Sequence, residues 1–173
     1  DEPELANMLF TAFRLGTPVA IRYPRGAGTG AALPAEFQEV AVGTAEVIRP
    51  GAGVQLWALG DMIPLAAAAA ELLDKERGVK AGVINARFIR PLDEALLLKQ
   101  MADTRVFVTL ENGMVTGGFG TGVEEALRAR GFQGRVLKFG WPDEFIPHGS
   151  QEALMGRYGL TARAIATAVS AVI

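Results

Sequence analysis

The hydrophobic positions of the chain follow two alternating periods from about residue 40 onward. Short apolar runs, typical of buried strands, occupy residues 45–48, 54–59, 79–85, 105–110 and 135–139. Between and after them, apolar residues recur at helical spacing over residues 61–77, 91–101, 123–130, 150–158 and 161–172. Strands that alternate with helices through short links predict an α/β fold, with a mostly parallel sheet and helices on both faces.

Local signals refine these boundaries. Residues 49–53 read Arg-Pro-Gly-Ala-Gly, a turn-rich link that predicts a hairpin between the first two strands. The helices also carry predicted boundary residues, namely N-caps at Asp61, Ser150 and Thr161, a first-turn proline at Pro91 and a C-terminal glycine at Gly78.

The first part of the chain has a different pattern. Residues 1–15 have helical spacing, and residues 18–23 read as a buried parallel strand. One helix and one strand cannot form a core, so we expect them to belong to a preceding domain. Residues 26–39 are rich in glycine and lack helical spacing, which predicts a linker. The chain opens without methionine, so we expect a fragment of a longer protein.

Composition narrows the classes of function. The 173 residues have a net charge of −2, which does not favour a nucleic-acid or acidic-membrane partner. No apolar run approaches the length of a membrane span. The absence of cysteine excludes disulfides and thiolate chemistry, and it fits a reducing, cytoplasmic location.

Two arginines at a predicted strand end are the first candidate site. Arg22 and Arg25 flank Tyr23-Pro24 at the carboxyl end of the strand predicted at residues 18–23. Ligands of open α/β sheets bind beyond the carboxyl ends of the strands, and a guanidinium suits phosphate or carboxylate. The alternative is that both arginines only solvate a turn.

A second candidate site lies after the later strands. Arg87 and Arg90 follow one strand, and Glu111-Asn112 follows the next, before the glycine-rich residues 117–122. These residues could form a polar pocket with an anion cradle at the next helix. We favour the alternative, in which the glycines permit a tight turn and the arginines pair with carboxylates such as Glu111.

The remaining motifs give weak indications of catalysis. The Gly26-x-Gly28-x-x-Ala31 pattern lacks the following helix that a dinucleotide fingerprint requires. His148 is the only histidine, and we expect it to be a loop residue. Asp143-Glu144 offers paired carboxylates but more simply fits a turn. We expect the aromatic residues of the loop at 140–149 to be sheltered from water, which predicts an ordered segment. A complete catalytic set is not visible.

Four pieces, read in order, carry a resemblance to a known family. They are Arg-Tyr-Pro-Arg-Gly at residues 22–26, Asn-Ala-Arg-Phe-Ile-Arg-Pro-Leu-Asp at 85–93, Thr-Leu-Glu-Asn at 109–112 with Gly-Gly-Phe-Gly at 117–120, and Gly-Trp-Pro-Asp-Glu-Phe-Ile-Pro-His-Gly at 140–149. With these pieces the chain resembles the C-terminal part of the 1-deoxy-D-xylulose-5-phosphate synthases, thiamine-diphosphate enzymes of the transketolase group.

The resemblance implies a domain organisation. Residues 1–32 would be the end of a middle, pyrimidine-binding domain, residues 33–39 a linker, and residues 40–173 a transketolase-like C-terminal domain. Thiamine diphosphate and Mg²⁺ would be bound by regions absent from this chain. The chain itself would supply no catalytic, cofactor-binding or metal-binding residue. By the same resemblance, the glycine loop at residues 117–122 would be structural and close to a subunit interface.

The resemblance also implies a reaction. The whole enzyme would be a transferase that condenses pyruvate with glyceraldehyde 3-phosphate, releasing CO₂, for isoprenoid, thiamine and pyridoxal biosynthesis. Arg25 matches the arginine that grips the phosphate of the acceptor, with Arg22 a weaker second choice. A cytoplasmic homodimer is expected, and the fragment alone should be inactive. The alternatives are a fragment of a 2-oxo-acid dehydrogenase β subunit and a non-enzymatic dimerisation module.

Overall fold

Five strands and six α-helices make up the regular structure in the computed structural model, which describes residues 1–24 and 26–173. In chain order they are α1 (Glu2–Arg14), β1 (Glu46–Arg49), β2 (Gly53–Ala58), α2 (Ile63–Arg77), β3 (Gly82–Asn85), α3 (Glu94–Met101), β4 (Thr104–Met114), α4 (Phe119–Ala129), β5 (Arg135–Trp141), α5 (Gln151–Arg157) and α6 (Ala162–Ser170). A short 3₁₀ turn, Gly60–Met62, leads into α2. Among the described helices, none is long and apolar enough to cross a membrane.

The sheet has the strand order β1-β3-β2-β4-β5. Strands β2, β3, β4 and β5 run parallel to one another. Strand β1 pairs antiparallel with β3 at one edge. The prediction of a mostly parallel sheet is therefore confirmed. Strands β2 and β3 are buried along almost their whole length, which explains why their sequences read as continuous apolar runs.

Helices cover both faces of the sheet, as the sequence predicts. Side chains alternate between the faces along each strand, so Leu56 of β2 faces one way and Trp57 the other. One face packs against α2 and α6 through Leu56, Val83, Val108, Ala66, Ala70, Leu73 and Ile165. The other packs against α3 and α4 through Trp57, Ile84, Phe107, Leu97, Val123 and Leu127.

The predicted hairpin between β1 and β2 is wrong, because β3 lies between them. The buried β3 takes the interior position, and the more exposed β1 is left at the edge. The link at residues 50–52 crosses the start of β3, where the amide of Ala52 donates to the carbonyl of Lys80 at 3.0 Å. Gly51 is needed there, since a Cβ atom would stand 2.1 Å from the amide nitrogen of Gly82.

The helix boundaries are predicted with mixed success. Ser150 and Thr161 cap α5 and α6 as expected, and Gly78 ends α2 in the left-handed conformation. Asp61 does not cap α2, because it lies inside the 3₁₀ turn. Helix α3 begins at Glu94 instead of Pro91, since the side chain of Asp93 accepts a hydrogen bond from the amide of Leu96 and sets the start.

The N-terminal helix is confirmed, and the strand predicted after it is not. Asp1 caps α1 by accepting a hydrogen bond from the amide of Glu4. Residues 18–23 form no strand, and within the described residues no neighbouring strand pairs with them. A strand needs such a partner for its backbone groups. Residues 26–45 contain neither helix nor strand. The domain boundaries at residues 32 and 39 remain predictions.

Helix α1 lies against the rest of the chain through polar contacts. The carboxylate of Glu4 accepts hydrogen bonds from Asn85 Nδ2 and Arg87 Nε, both at 2.6 Å, at the end of β3. The hydroxyl of Thr11 accepts from the amide of Val40 at 2.8 Å. The carboxylate of Glu2 accepts from the hydroxyl of Thr29 and the amide of Gly30. These contacts fix the glycine-rich segment beside the helix.

Replacing Gly51 by alanine should destabilise the fold. The new methyl group meets the backbone of β3, which cannot move without disturbing the sheet, so we expect the free energy of unfolding to fall by about 1–3 kcal/mol. Chemical denaturation measures this. The matched control is Gly156→Ala, because Gly156 lies in α5 with open space around it, and alanine should raise the free energy of unfolding by about 0.5–1 kcal/mol. Equal effects of the two substitutions would contradict the described crossing.

The stability of the contact between Glu2, Thr29 and Gly30 should depend on pH. These hydrogen bonds, of which the one from Thr29 has the largest effect, lower the pKa of Glu2 from its ordinary 4.5 to about 2. The contact therefore stabilises the attached helix above pH 4.5, and this stabilisation is lost as the pH falls toward about 2. An NMR titration of Glu2 should show the low pKa, and Thr29→Val should raise it. An ordinary pKa in the unaltered protein would rule the contact out.

Candidate functional site

The carboxyl ends of β2, β4 and β5 meet at Asn112, near the end of β4. The amide nitrogen of its side chain donates to Asp61 Oδ2 at 2.7 Å, in the turn that follows β2. Its side-chain oxygen accepts from the indole of Trp141 at 2.7 Å, at the end of β5. Both halves of the amide are therefore engaged, which fixes its orientation. We call Asn112, Asp61 and Trp141 the Asn112 network.

Arg22 joins this network from the N-terminal segment. Its Nη2 atom donates to the backbone carbonyl of Asn112 at 2.9 Å. The guanidinium lies over Gly113, since a Cβ atom there would stand 3.2 Å from both Nη1 and Nη2. The position that lacks a side chain thus leaves room for the arginine. Arg25 falls outside the described residues, so its predicted role as a phosphate ligand stays a prediction.

The side chain of Glu111, near the end of β4, reaches the N-terminus of α4. Its carboxylate is 1% exposed and accepts hydrogen bonds from the amides of Phe119 and Gly120, both at 2.9 Å. At Gly118, a Cβ atom would stand 2.2 Å from the carbonyl of Met114 and 2.4 Å from the carboxylate of Glu111. Glycine at this position lets the backbone approach the carboxylate closely.

The anion-cradle interpretation of residues 117–122 is therefore wrong. The amides that would have received a ligand already receive the chain's own carboxylate, which the helix dipole also favours. The glycines permit close approach, as the favoured alternative predicts. The expectation that the arginines pair with carboxylates is confirmed for Arg87. Glu111 is not a partner, because its hydrogen bonds come from backbone amides.

Arg87 pairs with other carboxylates. Its Nε atom contacts Glu4 of α1 and its Nη2 atom contacts Glu46 of β1, both at 2.6 Å. Arg87 has a φ angle of 55°, uncommon for a residue with a side chain. This conformation accompanies the contacts that join α1, β1 and the end of β3.

A cleft of about 190 Å³ separates the N-terminal segment from the start of α4. It is lined by Arg22, Ile89, Arg90, Leu92, Phe119, Val123 and the glycines 117, 118 and 122. Arg90 is exposed and has no ion-pair partner among residues 1–24 and 26–173. The structure therefore brings Arg22 and Arg90 to one cleft and directs Arg87 elsewhere.

The loop at residues 140–149 contains the remaining candidates for acid–base chemistry, Asp143, Glu144 and His148. Glu144 accepts a hydrogen bond from the hydroxyl of Tyr158 at 2.8 Å, and this contact raises the pKa of Tyr158. Asp143 and His148 are exposed. The expectation that the aromatic residues of the loop are sheltered holds for Trp141, which is partly buried and packs on Tyr158, but Phe145 is fully exposed.

Comparison with known proteins agrees with this fold. The family described as "Transketolase, C-terminal domain" matches residues 43–165. The chain belongs to the transketolase C-terminal domain family. A protein solved as "Split gene transketolase, inactive beta4 tetramer" is similar, with a TM-score of 0.71 and 34% identity over 78% of this chain and 43% of its own.

Curated relatives of this transketolase C-terminal domain include 1-deoxy-D-xylulose-5-phosphate synthases. A 1-deoxy-D-xylulose-5-phosphate synthase of Heliobacterium modesticaldum is 44% identical over 96% of the chain, and one of Desulforudis audaxviator is 46% identical over 98%. The chain spans about a quarter of the length of these relatives, 26% and 27% respectively.

Two features of this transketolase-type domain escaped prediction from the sequence. The pairing of Asn112 with Asp61 joins residues 51 positions apart, and no spacing rule connects them. The capping of α4 by Glu111 was missed because the helix begins at Phe119, four residues earlier than its apolar spacing indicates. The sequence signal that could have indicated this cap is an acidic residue directly after an apolar strand and shortly before a glycine-rich segment.

Replacing Glu111 by glutamine should destabilise this edge of the sheet. Glutamine offers one oxygen, and its amide group would face a backbone N–H that then has no acceptor. We expect the free energy of unfolding to fall by about 1–3 kcal/mol. Glu76→Gln is the matched control, because Glu76 forms an exposed pair with Arg163 and should contribute about 0.5 kcal/mol or less. If both variants unfold at the same denaturant concentration, Glu111 is not the cap.

Proposed function

We propose that the chain is the C-terminal quarter of a 1-deoxy-D-xylulose-5-phosphate synthase, a transferase of the transketolase type. The whole enzyme condenses pyruvate with glyceraldehyde 3-phosphate and releases CO₂, for isoprenoid precursors, thiamine and pyridoxal. The observation that carries this proposal is the match to synthases of this name over nearly the whole chain at 44% and 46% identity. The 2-oxo-acid dehydrogenase β subunit has less support, because these relatives are synthases.

The described residues do not fit a site for thiamine diphosphate and Mg²⁺. No group of three or more His, Asp or Glu side chains in the described part of the chain is placed to hold a metal ion. The amides at the start of α4, the natural place for a diphosphate, are taken by Glu111. We therefore assign both cofactors to regions of the enzyme outside this chain.

The part assigned to this chain is to hold the phosphate of the acceptor aldehyde. Arg25 is the proposed ligand, because a guanidinium offers a planar, permanently charged fork that matches phosphate oxygens. Arg22, three residues earlier, is the second candidate. A homodimer in the cytoplasm completes the proposal. Supporting it are the strong similarity to the synthases and the absence of cysteine.

Arg25→Ala in the full-length synthase tests the proposal. Loss of a charge-assisted contact to phosphate should lower kcat/KM for glyceraldehyde 3-phosphate by about 30- to 700-fold, equivalent to about 2–4 kcal/mol. The KM for pyruvate, which carries no phosphate, should stay within about twofold. Steady-state kinetics with each substrate varied in turn measures both values.

Arg130→Ala is the matched control for this experiment. It removes a guanidinium that is exposed and paired with Glu94 on the α3 and α4 face, and it should leave both parameters unchanged. Unchanged kinetics for glyceraldehyde 3-phosphate in Arg25→Ala would refute the assigned role.

A further inference from the structure

Arg22 contacts the C-terminal domain through its guanidinium, and this contact indicates a role other than phosphate binding. We propose that Arg22 is a positioning residue, which anchors residues 21–24 to the end of β4 through Asn112. The affinity for the phosphate of the acceptor then depends on the Asn112 network. This inference rests on the proposed function and assigns roles to Arg22, Asn112 and Asp61 within it.

The first step is the geometry of the guanidinium. Nη2 donates to the carbonyl of Asn112 at 2.9 Å, and both terminal nitrogens lie over Gly113. The planar end of Arg22 is therefore directed toward the backbone of β4. A hydrogen bond from a charged donor to a carbonyl is stronger than one between neutral groups.

The second step is that the acceptor is held rigidly. Asn112 is tied to the turn after β2 by Asp61 and to the end of β5 by Trp141, each at 2.7 Å. Trp141 in turn packs edge-on against Tyr158, with 5.7 Å between the ring centroids. Three elements of the domain thus fix the carbonyl that receives Arg22.

The third step is that the segment has few other fixed points. Of residues 16–24, all are exposed except Ile21, which is partly exposed. Within this described segment, the side-chain hydrogen bond to the rest of the chain is the one from Arg22. Loss of that single contact would release the residues that directly precede Arg25.

Positioning and direct binding make different predictions. If Arg22 itself bound the phosphate, changes at Asp61, which contacts Asn112 and not Arg22, would not affect the KM for glyceraldehyde 3-phosphate. If Arg22 acts through Asn112, changes on either side of the contact have the same effect, and combining them adds little.

The test uses four variants of the full-length synthase. Arg22→Ala and Asp61→Ala should each raise the KM for glyceraldehyde 3-phosphate by about 3- to 30-fold, with kcat and the KM for pyruvate within about twofold. The double variant should resemble Arg22→Ala alone. Asp61→Asn retains an oxygen acceptor for Asn112, so its KM should lie closer to that of the unaltered enzyme.

Gly113→Ala is a further variant, which keeps the side chains of Arg22, Asn112 and Asp61 unaltered. Its methyl group would stand 3.2 Å from both guanidinium nitrogens, so it should displace them and raise the same KM. Arg130→Ala again serves as the control. The proposal is overturned if Arg22→Ala raises this KM while Asp61→Ala and Gly113→Ala do not, or if Arg22→Ala has no effect. Arg25→Ala separates the two proposals, because its failure to raise the KM would refute the phosphate-binding role assigned to Arg25 under the proposed function, whatever Arg22→Ala does.

Discussion

The carboxylate of Glu111 on the amides of Phe119 and Gly120 is the interaction on which this edge of the sheet depends. A buried charge is tolerated only where hydrogen bonds replace its hydration, and the start of α4 supplies them together with the favourable end of the helix dipole. The glycine at 118 follows from this requirement, because a side chain there would collide with the carboxylate of Glu111. Gly120 has a separate reason, since a side chain there would collide with the hydroxyl of Thr109.

The next residue along β4 uses the opposite face of the sheet. Neighbouring side chains of a strand point to opposite sides, so Glu111 reaches α4 while Asn112 reaches the turn before α2 and the end of β5. Two adjacent polar residues therefore hold both faces of the sheet at its carboxyl edge. In many α/β proteins this edge binds the ligand. In this chain, Glu111 and Asn112 at this edge form their hydrogen bonds with other residues of the chain.

The periodic parts of the fold could be predicted from the sequence, and the parts that depend on distant partners could not. The buried strands and the caps Ser150 and Thr161 follow from local rules, and the structure has them. The place of β1 depends on whether β3 or β2 pairs with it, and the turn residues at 49–53 do not contain that information. The strand expected at residues 18–23 failed for a related reason, since its apolar pattern requires a neighbouring strand.

Candidate site residues divide in the same way. Strand ends indicated the edge at which Asn112 lies, whereas the strand expected before Arg22 does not form. Residue type alone could not show which charges would be satisfied internally. Arg87 forms ion pairs with Glu4 and Glu46. Glu111 accepts hydrogen bonds from backbone amides, and Arg22 donates one to a carbonyl of β4. A charge that is already paired must lose its partner before it can bind a ligand, which costs free energy. Arg87, Glu111 and Arg22 therefore hold neighbouring segments of the chain in place.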